Sequence, residues 1–135
     1  MKGSLIAMAA LCVAAAAAPA SATDTYYPLT VDSLSGAQYS YGFFFANASA
    51  HASEPIIDGH LLVNGVAAAG LRIEEYRTGD GLGAIWKFTG YTTVVIPGDV
   101  LTLVVTDASG DSAQRQAVCI APTTKKKSDL TAFCQ

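Results

Sequence analysis

An all-β fold is what this sequence predicts, a compact antiparallel β-barrel or a two-sheet β-sandwich of about eight or nine strands. Three observations carry that expectation. After residue 22 no stretch sustains a 3.6-residue apolar period with helix caps. Short runs rich in Val, Ile, Tyr, Phe and Thr recur instead, punctuated by Gly, Asn, Asp and Pro. Asn64-Gly65 and Pro97-Gly98-Asp99 carry the chemistry of tight reversals between strands.

Residues 1–22 read as an address. Lys2 supplies the positive start, Leu5 to Ala18 an apolar run, and Ala20-Ser21-Ala22 a small-x-small cleavage site, the three parts of a secretory signal peptide. Cleavage after Ala22 takes Lys2 away. That leaves 113 of the 135 residues as one all-β domain (23–135), with 7 Lys and Arg against the full 11 Asp and Glu and a net charge of −4. Such a composition excludes a multidomain machine, a disordered chain and a polytopic membrane protein. It also excludes a basic nucleic-acid binder that relies on neutralising phosphates. The mature chain is expected to be extracellular and free of the membrane.

The strands follow in order. Tyr26 to Asp32 reads as the first, with Pro28 near its start, where a missing N–H is tolerated. Gln38 to Ala46 reads as the second, placing Tyr39, Tyr41, Phe43 and Phe45 on one face and Ser40, Gly42, Phe44 and Ala46 on the other. His51 to Pro55 is turn-like. Ile56 to Val63 is a third strand that ends at Asn64-Gly65, a type I′ hairpin signal. Val66 to Ala69 is ambiguous, because alanine favours helix but four residues cannot nucleate one. Leu71 to Tyr76 alternates as a strand, and Thr78 to Gly83, with three glycines, marks a mobile loop or wide turn.

Ala84 to Phe88 alternates again, with Ala84, Trp86 and Phe88 on one side. A hairpin is expected from Tyr91 to Ile96 through the Pro97-Gly98-Asp99 turn to Val100 to Thr106, the turn being type II or type II′. Val104-Val105 interrupts alternation, as in a strand buried on both faces or a bulge. Asp107 to Ser112 is a turn, Ala113 to Ile120 the next strand, and Leu130 to Cys134 a short return.

Once Cys12 leaves with the leader, Cys119 and Cys134 remain. In an oxidising route they most simply form one disulfide. No thiol is then left for an intermolecular bridge, so the chain is expected to be a monomer or a non-covalent homodimer. Asn47-Ala48-Ser49 is an N-glycosylation acceptor, which places the stretch after Phe45 at the surface. The single charge run, Lys125 to Lys127, reads as a solvated loop.

A search for chemistry returns little. There is no G-x-S-x-G elbow, H-E-x-x-H pair or phosphate loop, and both mature cysteines are committed. Asp58, His60 and His51 could meet around a metal only if the intervening loop folded back, so no metal and no cofactor are expected. Glu74 and Glu75 point to opposite faces of a strand and make poor partners for glycoside hydrolysis, although Asp80 or Asp107 could complete a pair in space. The chain is therefore expected not to be an enzyme. Its aromatic residues, Tyr26, Tyr27, Tyr39, Tyr41, Tyr76, Trp86 and Tyr91, are the other candidates, as a sugar-stacking platform or a protein-docking hot spot. Trp86 and Tyr76, with the adjoining loop residues Gly79, Asp80 and Gly81, are the expected partner-binding set.

In pattern the chain resembles the small secreted β-barrel proteins of filamentous fungi typified by the Alternaria major allergen. The segments that carry the resemblance are Tyr41 to Phe45, Tyr76-Arg77-Thr78-Gly79, Trp86-Lys87-Phe88, and Cys119 with Phe133-Cys134. The family's other disulfide would fall on Val63 and Thr78, so both of its partners are missing here. Family members are allergens, elicitors or effectors that engage host-plant defence proteins, and no catalytic reaction is firmly established for them. The resemblance thus implies a secreted, allergen-like virulence or elicitor protein that binds a host extracellular protein or small ligand. A secreted carbohydrate- or cell-wall-binding module is the alternative expectation.

Overall fold

The computed structural model describes residues 28–123 and 129–135. The leader, Tyr26 and Tyr27, and the lysine run lie outside the described residues. Among the described residues nine strands form: β1 (Thr30–Tyr39), β2 (Phe44–His51), β3 (Ile56–Val63), β4 (Val66–Ala67), β5 (Arg72–Arg77), β6 (Gly83–Gly90), β7 (Val100–Asp107), β8 (Ser112–Ile120) and β9 (Leu130–Cys134). They make one antiparallel sheet in the order β4-β3-β7-β8-β9-β1-β2-β6-β5. The all-β expectation holds, and the sheet is not closed: no ladder joins β5 at one edge to β3 or β4 at the other.

The sheet folds over on itself, and its inner residues form one core. Ala46, Ala48 and Ala50 of β2 and Ala84, Trp86 and Phe88 of β6 meet Leu101, Leu103 and Val105 of β7 and Ile56 and Leu61 of β3. The alanines on β2 leave the room that Trp86 and Phe88 fill on the neighbouring strand, a large-against-small arrangement that close packing requires. Across the open seam Arg77 of β5 donates to the carbonyl oxygens of Ile56 and Ile57 on β3, so a side chain stands where a ladder would close a barrel.

Two expected strands are corrected. The stretch from Gln38 to Ala46 is split between β1 and β2 by a reversal over residues 40–43. Tyr39 N–H bonds Phe43 O at 2.8 Å and Gly42 N–H bonds Tyr39 O at 3.0 Å. Gly42 sits at φ +91°, a backbone state its missing Cβ permits, and that one residue overrides the alternation around it. Among the described residues the first strand begins at Thr30 and runs past the expected end at Asp32 to Tyr39. Residues 91–96 form no ladder with β7, which pairs instead with β3 and β8. Thr93 and Val95 still point inward as the alternation requires, but a side chain satisfies the backbone: Val95 N–H bonds Gln38 Oε1 at 3.0 Å.

The reversals at Asn64-Gly65 and at Pro97-Gly98 have the expected chemistry. Asn64 (φ 52°) and Gly65 (φ 82°) make the type I′ reversal into β4, and this settles the ambiguous Val66–Ala69 stretch as a two-residue strand followed by coil. At Pro97-Gly98 the Asp99 N–H to Ile96 O bond (3.0 Å) and φ +99° at Gly98 select type II. The register of β7 is unbroken against β8 and shifts against β3 only between Ile56 and Asp58, away from Val104-Val105, and Leu101, Thr102 and Leu103 are all buried. Burial on both faces thus explains its lost alternation.

The turn after β7 is organised by Asp107, which is buried and accepts the Ser109 hydroxyl (2.6 Å) and the N–H groups of Ser109 (3.0 Å) and Asp111 (3.1 Å). The Ser109 hydroxyl, assisted by these amides, holds the Asp107 carboxyl below its ordinary value. A carboxyl depressed in the fold adds stability above the unfolded value, and that contribution disappears as pH falls through the folded one. Urea midpoints are accordingly expected to drop as pH is lowered below about 4. Asp107→Asn should be less stable at neutral pH and show a shallower acid limb, and identical limbs in the two proteins would contradict this account.

Candidate aromatic binding face

The outer face of the β1-β2-β6-β5 half carries the surface features of interest. Register places Phe45, Thr89 and Arg72 in one row across β2, β6 and β5, Asn47, Lys87 and Glu74 in the next, and Ser49, Ile85 and Tyr76 in the third. The β1–β2 reversal stands above the first row. Five rings are in unbroken contact there. Tyr39 and Tyr41 centroids are 5.5 Å apart, Tyr41 and Phe43 6.3 Å, Phe43 and Phe45 6.5 Å, and Phe43 and Tyr91 5.3 Å. Tyr41 and Tyr91 are 62% and 68% exposed, so the cluster is a surface and not a lobe of the core.

Buried Gln38 holds these pieces together. Its amide donates to Phe43 O at 3.2 Å inside the reversal, while its carbonyl accepts Val95 N–H from the 91–96 segment. One side chain thereby ties the reversal that carries Tyr41 and Phe43 to the segment that begins at Tyr91. All its polar atoms are engaged, which is how a buried amide is tolerated.

Of the expected partner-binding residues, Trp86 is corrected outright. Its ring is fully buried in the core, with Nε1–H donating to Glu75 Oε1 at 2.9 Å, and it offers nothing to a partner. Tyr76 is 54% exposed in the third row. Its hydroxyl donates to Glu74 Oε1 at 2.9 Å, and the Glu74 carboxylate, by accepting that proton and by its charge, raises the phenol above its ordinary value. Lys87 Nζ sits 6.0 Å from the Tyr76 ring centroid, and with Ser49, Thr78, Gly83 and Ile85 the tyrosine lines a shallow depression of about 310 Å³.

Gly79, Asp80 and Gly81 are at the surface, in a loop that is tied down rather than wide. Asp80 Oδ1 accepts the Thr78 hydroxyl (2.6 Å) and Leu82 N–H (3.0 Å), which lower its carboxyl, and Gly81 O accepts Ile56 N–H (2.9 Å). The aromatic face and the Tyr76 depression thus lie at opposite ends of one sheet surface, with Asn47 and Lys87 between them. Phe43, Phe45 and Ile85 were not among the expected contacts, although the Tyr-x-Tyr-x-Phe-x-Phe spacing pointed to the first two.

Asn47 is corrected in setting: it is half-exposed on a central strand rather than on an exposed connecting stretch. His51 pairs with Asp32 (2.7 Å) and His60 with Asp58 (3.0 Å). Among the described residues no three His, Cys, Asp or Glu side chains are grouped as metal ligands would be. Glu74 and Glu75 do face opposite ways, the first toward Tyr76 and Arg72, the second toward Trp86 and Arg77. Cys119 and Cys134 are bonded, directly opposite one another on β8 and β9. The two positions that resemblance assigned to a second bridge lie far apart. Val63 ends β3, whereas Thr78 joins the loop that bonds Ile56 at its start, roughly 23 Å away along the strand.

Comparison with protein-family models, with curated proteins and with solved structures finds no match to this chain. Among the described residues no helix is long and apolar enough to cross a membrane.

Proposed function

We propose that this chain is a secreted, non-enzymatic binding module that docks a protein partner on the aromatic face of its outer sheet. The carrying observation is the run of five touching rings with Tyr41 and Tyr91 open to solvent. Aromatic side chains bring large contact area at small entropic cost and dominate docking energetics. The non-catalytic part is supported by the carboxylates. Asp80 and Asp107 are held low by structural hydrogen bonds, the opposite of the raised value that a general acid needs, and Glu74 and Glu75 are each engaged in the fold. The Cys119–Cys134 disulfide fits an oxidising extracellular compartment. The resemblance to fungal allergen-like elicitors and effectors supports a host-plant defence protein as the partner class.

Affinity capture from plant apoplastic fluid tests the reading, with a heat-unfolded sample as control. A single defence-type protein is expected on the folded domain. Tyr41→Ala/Tyr91→Ala should weaken its binding by about 30-fold or more, the cost of losing hot-spot rings, while leaving the thermal midpoint within a few degrees. Undiminished binding by that variant would remove the aromatic face from the account. A carbohydrate-binding role is the second reading, favoured by the near-parallel planes of Tyr41, Phe43 and Phe45 (13° and 14°). Retention on chitin, cellulose or β-glucan, abolished by the same variant, would select it.

A further inference from the structure

Asn47 lies in the middle row of the outer face, and its side-chain amide makes no hydrogen bond to the described residues. Its cross-strand neighbours leave it half-exposed. Ser35 on β1 is short, and Lys87 on β6 reaches toward the Tyr76 ring. Along the strand, Phe45 precedes Asn47 by two residues, so the two side chains rise from the same face roughly 6.6 Å apart. Phe43 stacks against one side of the Phe45 ring, at 14° and 6.5 Å between centroids. Phe45, like Asn47, is only half-buried, so part of its ring is open on the strand face the two residues share.

From this juxtaposition we infer that Asn47 carries an N-linked glycan whose first N-acetylglucosamine rests on the exposed part of the Phe45 ring. A pyranose presents an apolar C–H face of about the size of a phenyl ring, and burying one against the other removes both from water. In the transfer, Asn47 Nδ2 forms a bond to C1 of the sugar and gives up one proton. The C1–O bond to a polyprenyl-pyrophosphate donor breaks, and the pyrophosphate leaves with the electron pair. Transfer precedes folding, because in the fold Ser49 Oγ is hydrogen-bonded with Ser33 Oγ at 2.7 Å and β2 is locked between β1 and β6. The inference stands independently of partner docking. Where both hold, the sugar covers Phe45 and leaves Tyr41 and Tyr91 as the open rings.

The full chain is secreted from a yeast host and its intact mass measured. Melting is then compared for the glycoprotein as secreted, for the same protein trimmed enzymatically to a single N-acetylglucosamine, and for Asn47→Gln. A glycan mass that is absent from Asn47→Gln is expected. The full and trimmed forms should melt together, about 4 °C above Asn47→Gln, since one sugar makes the contact. In a Phe45→Leu background, which keeps the acceptor and an apolar side chain, the gap between glycosylated and Asn47→Gln forms should vanish. A secreted chain without glycan overturns the inference. So does a gap that is absent in the wild type or unchanged in Phe45→Leu. No readout involves a partner, so failure here leaves the docking reading standing.

Discussion

Truncation of Trp86 to alanine is expected to remove about 3–5 kcal/mol of unfolding free energy. This would be a large share of the roughly 5–15 kcal/mol that holds a domain of this size. The ring is the largest fully buried side chain, and it spans the point where the folded sheet has no ladder. On β6 it faces β3, where Gly59 makes room for it: a Cβ on Gly59 would lie 2.6 Å from Trp86 Cε2. Removing the indole leaves a cavity between the two layers and deprives Glu75 of the N–H it accepts, so transfer and polar costs add. Urea unfolding followed by far-ultraviolet circular dichroism reads the loss without relying on the one tryptophan.

The same contact can be tested from the other side. Gly59→Ala forces the methyl into the ring and should cost about 1–3 kcal/mol by overpacking. In a Trp86→Phe background the smaller ring lacks the fused atoms that the methyl would strike, so the Gly59→Ala penalty should fall markedly. Strictly additive costs across that cycle would show that the two residues do not share the packing described here.

Much of the fold was legible because two signals agreed locally. Ile56 to Val63 and Leu130 to Cys134 were bounded by a turn dipeptide or a cysteine, and their limits coincide with β3 and β9. Where one signal stood alone it misled. Alternation across residues 38–46 looks the same whether the chain runs on or reverses at Gly42, and across residues 91–96 it reports inward and outward side chains but not what satisfies the backbone. The binding face suffered from a related limit. Period-two spacing correctly grouped Ala84, Trp86 and Phe88, but whether another layer covers that group depends on β3, which lies well earlier in the chain. Hence Trp86 was expected at the surface and is core. Tyr39, Tyr41 and Tyr91 were named as candidates without any means of seeing that Gln38 gathers two distant segments.

Removing the disulfide, as Cys119→Ala/Cys134→Ala, is expected to cost about 3 kcal/mol. In a domain of about 100 residues this lowers the melting midpoint by roughly 12 °C or more. Loop entropy supplies the base figure, since the bond closes a 15-residue separation. Its position in the sheet decides what is lost with it. The order β4-β3-β7-β8-β9-β1-β2-β6-β5 passes from one half to the other only through β8 and β9. That ladder is just two residue pairs long, Cys119 with Cys134 and Ile120 with Phe133, extended by the reciprocal backbone bonds of Val118 and Gln135. The covalent link therefore sits at the short ladder through which the two halves of the sheet are hydrogen-bonded to one another. Without it, β9 is held mainly by its four pairs with β1. Hydrogen exchange should then show the amides of Val118 and Gln135 opening well before those of β2 and β6, whereas in the intact protein they should exchange with the rest of the sheet. A variant that kept its midpoint, or that opened everywhere at once, would mean the halves are joined chiefly by the packed core of Leu34, Ala117 and Leu101 and that the bridge is incidental to stability.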